Sequence, residues 1–213
     1  MADLEKLYES ILNGKLEPAV EVTNQVIEED LDIQDIINNY MIRAMEEIGL
    51  RFQNQKAFVP ELLMSARAMK GSLDLLKPHM KGGNTAIIGK IVIGTVMGDL
   101  HDIGKNLVAS MFEGCGFEVV NLGVNISSDK FIEAVKIEKP DILCLSALLT
   151  TTMNNMKDVI LALEQAGLRD KVKVMIGGAP VNQMFADQIG ADGYSSNANA
   201  AVIKAKELLA INV

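Results

Sequence analysis

The chain has 213 residues, 49% of them apolar and 23% charged, which suits one large or two small domains with real cores and excludes a disordered chain. Twenty Lys and Arg against 28 Asp and Glu leave a formal net charge of −8, which argues against a general binder of nucleic acid or anionic membranes.

The start, MADLEKLYESI, is acidic and amphipathic, without the basic and then apolar character of a signal peptide. No apolar run approaches the roughly 18 residues of a membrane span. The two cysteines, Cys115 and Cys144, sit in apolar surroundings without CxxC spacing, so structural thiols in a reducing cytoplasm are expected. Residues 1 to about 80 then read as helix after helix. Two short helices are predicted over 2–13 and 17–29, broken at Gly14. A third carries Ile33, Ile36, Ile37, Tyr40, Ala44 and Ile48 on one stripe, and a fourth carries Leu62, Ala66, Met69, Leu73 and Leu76. Pro60 suits the first turn of the fourth helix and Pro78 ends it. Four amphipathic helices with short links predict a small antiparallel four-helix bundle.

MKGGNTA, residues 80–86, has the composition of a linker and a hinge, which divides the chain into a helical domain over 1–83 and a second domain over 84–213. In the second, AIIGKIVIGTV, FEVVNLG, DILCLSA, KVKVMIGG and the short DGYSS read as strands, each followed by a helical segment. Five strand–helix pairs predict an α/β domain of flavodoxin-like, Rossmann-like type, a five-stranded parallel sheet wound 2-1-3-4-5 with helices on both faces. No GxGxxG follows the first strand, so a dinucleotide site has no local support. In this order ligands bind where strands 1 and 3 part. The loops there are MGDLHDIG and LSALLTTT, and the first holds one of only two histidines in the chain, His101.

Asp99, two residues before His101, can accept a hydrogen bond from one ring nitrogen and leave the other free for a metal. One histidine without further ligands is a poor site for a bare zinc ion, but is sufficient where a macrocycle supplies the remaining ligands. The residues alone also permit a plainer reading, in which Asp99 caps the helix starting near Gly104 and His101 lines a loop. Ser146, at the end of strand 3, is expected to reach the same crevice, where its hydroxyl is able to bond a carboxylate such as Asp99. The plainer role is a strand-end serine that satisfies a backbone group. Gly177 and Gly178, after strand 4, leave room for something to approach the backbone.

Taken in order, DLHDIG, SAL and GG resemble the Asp-x-His-x-x-Gly, Ser-x-Leu and Gly-Gly signature of cobalamin-binding domains that bind the cofactor base-off and histidine-on. FVPELLMSARAMK is similar to the cap preceding that module in methionine synthase, and the whole chain is similar to the stand-alone corrinoid methyl carriers of anaerobic methyltransferase systems. The resemblance implies a cobalamin cofactor, cycling as methylcobalamin and cob(I)alamin, or a related corrinoid. His101 then resembles the lower cobalt ligand, with Asp99 and Ser146 as a hydrogen-bonded relay behind it. Gly98, Asp102, Ile103, Gly104, Leu148, Thr150, Gly177 and Gly178 resemble positions that line the cofactor or its displaced nucleotide tail. Phe58 and Met64 are the candidates for an apolar lid over the upper face.

The implied function is methyl carriage between a donor-specific methyltransferase, of methoxyaromatic, methylamine, methanol or betaine type, and a second one acting on tetrahydrofolate or coenzyme M. A corrinoid reductive activase is a further implied partner. With no donor-substrate domain of its own, the chain reads as a non-autonomous subunit. Two alternatives share the histidine motif: a cobalamin-dependent mutase subunit, against which the helical cap argues, and a cobalamin-sensing regulator, for whose output segment residues 1 to about 13 are too short. A phosphorelay receiver needs an aspartate at the end of strand 3, where this chain has Ser146.

Overall fold

The structure is a computed structural model, and it describes residues 1–79 and 88–211. The hinge expected at 80–86 lies outside the described residues. The chain forms two compact units, one of Met1–Ile88 with Ser110–Phe117 and one of Gly89–Ala109 with Glu118–Val213.

The first unit begins with α1 (Leu4–Leu12), whose first turn is capped by the Asp3 carboxylate accepting from Lys6 N at 3.0 Å. Next come α2 (Leu16–Glu28) and a third rod made of α3 (Ile33–Ile36), a π-helical stretch over Ile37–Ile42 and α4 (Arg43–Gln53). The π-helical stretch alters the expected stripe. Its wider turn advances the buried face by one residue, so Met41 is in the core while Tyr40 is only half-buried. The stripe regains its register at Ala44 and Ile48, both buried.

Helix α5 (Val59–Leu76) has Pro60 in its first turn, and the Glu61 carboxylate accepts from Phe58 N at 2.7 Å. Its predicted stripe of Leu62, Ala66, Met69, Leu73 and Leu76 is buried throughout. Each large member contributes roughly 1.5–3 kcal/mol by leaving water. A 3₁₀ turn over Lys77–His79 takes in Pro78 where the helix ends.

The second unit is a five-stranded, wholly parallel sheet in the order β2-β1-β3-β4-β5. Its strands are β1 (Lys90–Thr95), β2 (Glu118–Asn121), β3 (Ile142–Ser146), β4 (Lys173–Gly177) and β5 (Gly193–Tyr194). Helices α6 (Ile103–Gly114), α7 (Ser128–Glu138), α8 (Asn155–Gln165), α9 (Gln183–Ile189) and α10 (Ala198–Leu208) follow the strands in turn. The central strands are apolar on both faces. Val92, Leu143, Leu145, Val174 and Ile176 join Phe131, Val159, Ile160 and Leu163 in one core, while Ile91, Ile93, Ile142 and Met175 are buried as well. Cys144 lies within β3, and burial pushes its thiol far above the usual range, which makes it a packing residue. Register aligns Thr95 with Ser146 and Ser146 with Gly177, so three strand ends form a row at the carboxyl edge of the sheet. No helix among the described residues is long and apolar enough to cross a membrane.

Candidate functional site

The loop after β1 turns back at once. Asp99 N donates to the Val96 carbonyl at 3.2 Å, and Gly98, at φ +80°, supplies the left-handed residue that the turn needs. The turn leaves the Asp99 carboxylate fully buried and surrounded by donors. One oxygen accepts from His101 N at 3.1 Å and lies 2.8 Å from His101 Nδ1. The other accepts from Leu148 N at 2.8 Å, Leu149 N at 3.3 Å and Thr152 Oγ1 at 2.7 Å. Burial works to raise the Asp99 pKa, but the bonds from Thr152, Leu148 and His101 outweigh it and hold the carboxyl well below the usual range. The anion fixes Nδ1 as the donor and so leaves Nε2 of His101 as the free nitrogen, on a side chain that is 51% exposed.

Sequence reasoning expected Ser146 to bond Asp99, and the structure corrects this. Ser146 is the last residue of β3, where its carbonyl accepts from Val96 N at 3.0 Å, whereas the Asp99 carboxylate lies beyond the strand ends against the loop over 148–152. Thr152 takes the place expected for Ser146. The string TTT at 150–152 offered that hydroxyl, but spacing does not distinguish three adjacent threonines, of which Thr150 and Thr151 are exposed. Nor does Asp99 cap α6, since Asn106 N donates to the carbonyl of Asp102 at 2.7 Å and Asn106 Nδ2 to its carboxylate at 2.9 Å.

Three further supports were not anticipated. Buried Thr95 donates from Oγ1 to the His101 carbonyl at 3.0 Å. Asn125 reaches over from the loop after β2, its side-chain Oδ1 accepting from Gly98 N at 2.8 Å and its main-chain N donating to the Asp99 carbonyl at 3.0 Å. Buried Lys105 donates to Asn106 Oδ1 at 2.7 Å and Asn121 Oδ1 at 2.6 Å, which ties the first turn of α6 to the end of β2. Desolvation lowers the Lys105 pKa, against the opposing pull of Asp102.

The remaining predicted residues lie on the same carboxyl edge or on the loops beyond it. Gly104 lies in the first turn of α6, where nothing beyond its chain neighbours and the helix's own backbone comes within 4 Å of where a Cβ would stand. Leu100 and Ile103 are 70% and 87% exposed, and Leu148 and Leu149 are exposed on the loop after β3. Gly177 is half-buried, and Gly178, at φ +129°, is so close to the β3 end that a Cβ would lie 1.8 Å from the Ala147 carbonyl oxygen. In the helical unit, Phe58 and Met64 are both exposed and so belong to its surface and not to its core.

These residues suit a metal that brings its own ligands. Among the described residues no group of three or more His, Cys, Asp or Glu is placed to hold an ion, so His101 offers a single nitrogen. Exposed aliphatic side chains surround it in sequence, and the start of α6 is open. A broad, largely apolar macrocycle with one vacant axial position matches that chemistry, and a bare ion does not.

Comparison with known proteins points the same way. Residues 89–203 match a family model described as a B12 binding domain, and residues 3–77 match a second model of the same description. The chain is 44% identical to a dimethylamine corrinoid protein of Methanosarcina barkeri, over 97% of both chains. Among solved structures it is similar to a cobalamin-binding protein from Desulfitobacterium hafniense DCB-2, with TM-score 0.83 and 33% identity over 98% of this chain and 99% of that one. It is also similar to a chain of the methanol:cobalamin methyltransferase complex from Methanosarcina barkeri, with TM-score 0.84 and 31% identity over 99% of this chain and 80% of that one.

Proposed function

This chain belongs to the family of B12-binding corrinoid proteins, and from that premise we propose that it carries a methyl group between two methyltransferases as their shared, non-autonomous subunit. The donor in this reading is a methylated amine. The similarity to a dimethylamine corrinoid protein at 44% identity supports that choice. The second methyltransferase passes the methyl group to tetrahydrofolate or coenzyme M, and a reductive activase restores the carrier after oxidation.

When bound, the corrinoid supplies a cobalt atom that accepts a methyl group and yields it to a nucleophile. The protein's part would be to hold that atom, with His101 offering Nε2 as the protein ligand. Asp99 accepts from Nδ1–H across 2.8 Å, which sets the tautomer and the orientation of the ring and leaves Nε2 as the free nitrogen. Thr152 and the amides of Leu148 and Leu149 keep Asp99 anionic. Gly98, Asp102, Ile103 and Gly104 line the approach to His101. Ser146, Leu148, Thr150, Gly177 and Gly178 border the path of the nucleotide tail. Residues 1–83 would serve as the cap and 84–213 as the corrinoid-binding module, and Phe58 and Met64, both exposed, would shield a bound corrinoid from water.

The observation that carries this reading is the Asp99–His101 pair, set at the strand 1/strand 3 switch point with one ring nitrogen free. The test is the visible spectrum after loading with hydroxocobalamin under anaerobic conditions and desalting, for the wild type and His101→Ala. The wild type is expected to retain about one corrinoid per chain with a histidine-coordinated spectrum that His101→Ala lacks. A folded wild type that retains no corrinoid would sink the reading.

A further inference from the structure

His101 is held at three of its four polar atoms. Its amide N and ring Nδ1 both meet one oxygen of Asp99, at 3.1 and 2.8 Å, and its carbonyl oxygen accepts from Thr95 Oγ1 at 3.0 Å. Only Nε2 is left for a ligand. The two anchors differ in kind. Asp99 is itself part of the turn and is held in place by the loops after β2 and β3, whereas Thr95 is the last residue of β1 and belongs to the sheet.

The main chain of Thr95 is tied on both sides: its N donates to the Gly123 carbonyl at 3.0 Å and its carbonyl accepts from Ile126 N at 3.0 Å. Thr95 also aligns with Ser146 of β3 and is fully buried. The hydroxyl thus spans a six-residue separation, from a fixed strand to the backbone of the residue that carries the functional nitrogen. A loop residue positioned only by its own loop would have the freedom of that loop.

We propose that Thr95 is a positioning residue for His101, the side chain that fixes the histidine backbone to the sheet so that Nε2 meets the corrinoid's axial position. This rests on the reading of His101 as the axial ligand. Thr95→Val preserves the volume and the strand preference while removing the donor, and Thr95→Ser keeps the donor. The first leaves the His101 carbonyl without its partner. The second restores it.

The experiment uses the full chain made with ¹⁵N-histidine, loaded with cobalamin, reduced to the cobalt(II) state and read by electron paramagnetic resonance. A coordinated ¹⁵N imidazole splits the cobalt lines into doublets, which separates histidine coordination from the ¹⁴N of the cofactor's own base. The wild type is expected to show doublets. Thr95→Val should retain corrinoid but lose roughly five-fold in the ratio of histidine-coordinated to uncoordinated cobalt, and Thr95→Ser should resemble the wild type.

Doublets of full strength in Thr95→Val, or a loss in Thr95→Ser equal to that in Thr95→Val, would overturn the proposal while leaving the axial-ligand reading in place. A wild type without doublets would overturn both. If Thr95→Val does not fold, Thr95→Ala removes the same hydroxyl with less bulk, and failure of both to fold would make Thr95 a residue of general stability and overturn the proposal.

Discussion

Replacing Asp99 by asparagine keeps the side chain's shape but sets an amide NH₂ where the carboxylate meets only donors. One oxygen faces two N–H groups of His101, and the other faces Leu148 N, Leu149 N and Thr152 Oγ1. Whichever way the amide turns, some buried donors lose their acceptor, so Asp99→Asn should cost about 1–3 kcal/mol at neutral pH. The pH dependence has a definite sign. An unfolded aspartate titrates near about 3.9, and the folded one lies lower because Thr152, Leu148 and His101 overcome the cost of burial. Folding therefore favours the anion. Its stabilisation is complete above about pH 4 and is lost as pH falls below that toward the folded value. The urea midpoint of the wild type should accordingly fall more steeply between about pH 5 and about pH 3 than that of Asp99→Asn. Parallel profiles would show that the carboxylate is not held low.

At the scale of loops and strands, two glycines of the site make opposite predictions. Gly178 sits at φ +129° with its missing Cβ 1.8 Å from a backbone oxygen of the neighbouring strand end, so Gly178→Ala must displace main chain. That should cost at least about 1–3 kcal/mol, visible as a lowered thermal midpoint without any corrinoid. Gly104 sits in the first turn of α6 with open space around it, so Gly104→Ala should leave the free protein as stable or slightly more so. If the corrinoid lies against that turn, the added methyl lowers its affinity alone. Equilibrium dialysis against cobalamin checks this, and an unchanged affinity would place the corrinoid elsewhere. The elements themselves were largely legible in the sequence, because strand–helix alternation and the stripe of α5 are periodic signals that packing only reinforces. What escaped was non-periodic. The π-helical turn that exchanges Tyr40 for Met41 leaves no mark in a repeat of 3.6. Choosing Thr152 over Ser146 required knowing how far the Asp99 turn reaches past the strand ends. Thr95 and Asn125 act through main-chain groups that no side-chain pattern encodes.

The whole chain consists of two units, each with a core of its own, and this makes the proposed cap testable by heat. A ligand that binds only the folded state stabilises what it binds by about 2.7 kcal/mol at a hundredfold excess over its dissociation constant. For a unit the size of the α/β module, that is a rise on the order of 10 °C in its midpoint. If the corrinoid touched only the unit bearing His101, the helical transition would stay where it was. In the proposed function Phe58 and Met64 cover the cofactor, so both transitions should rise in scanning calorimetry when cobalamin is added. Both side chains are exposed, and exchanging them for serine should shift the free protein by no more than about 0.5 kcal/mol each. The Phe58→Ser, Met64→Ser double variant is expected to keep the rise in the α/β transition and to lose most of the rise in the helical one. A helical transition that rises as far in the double variant as in the wild type would remove these two residues from the lid. One that does not move in the wild type would remove the lid itself, leaving His101 and its supports as the whole of the corrinoid site.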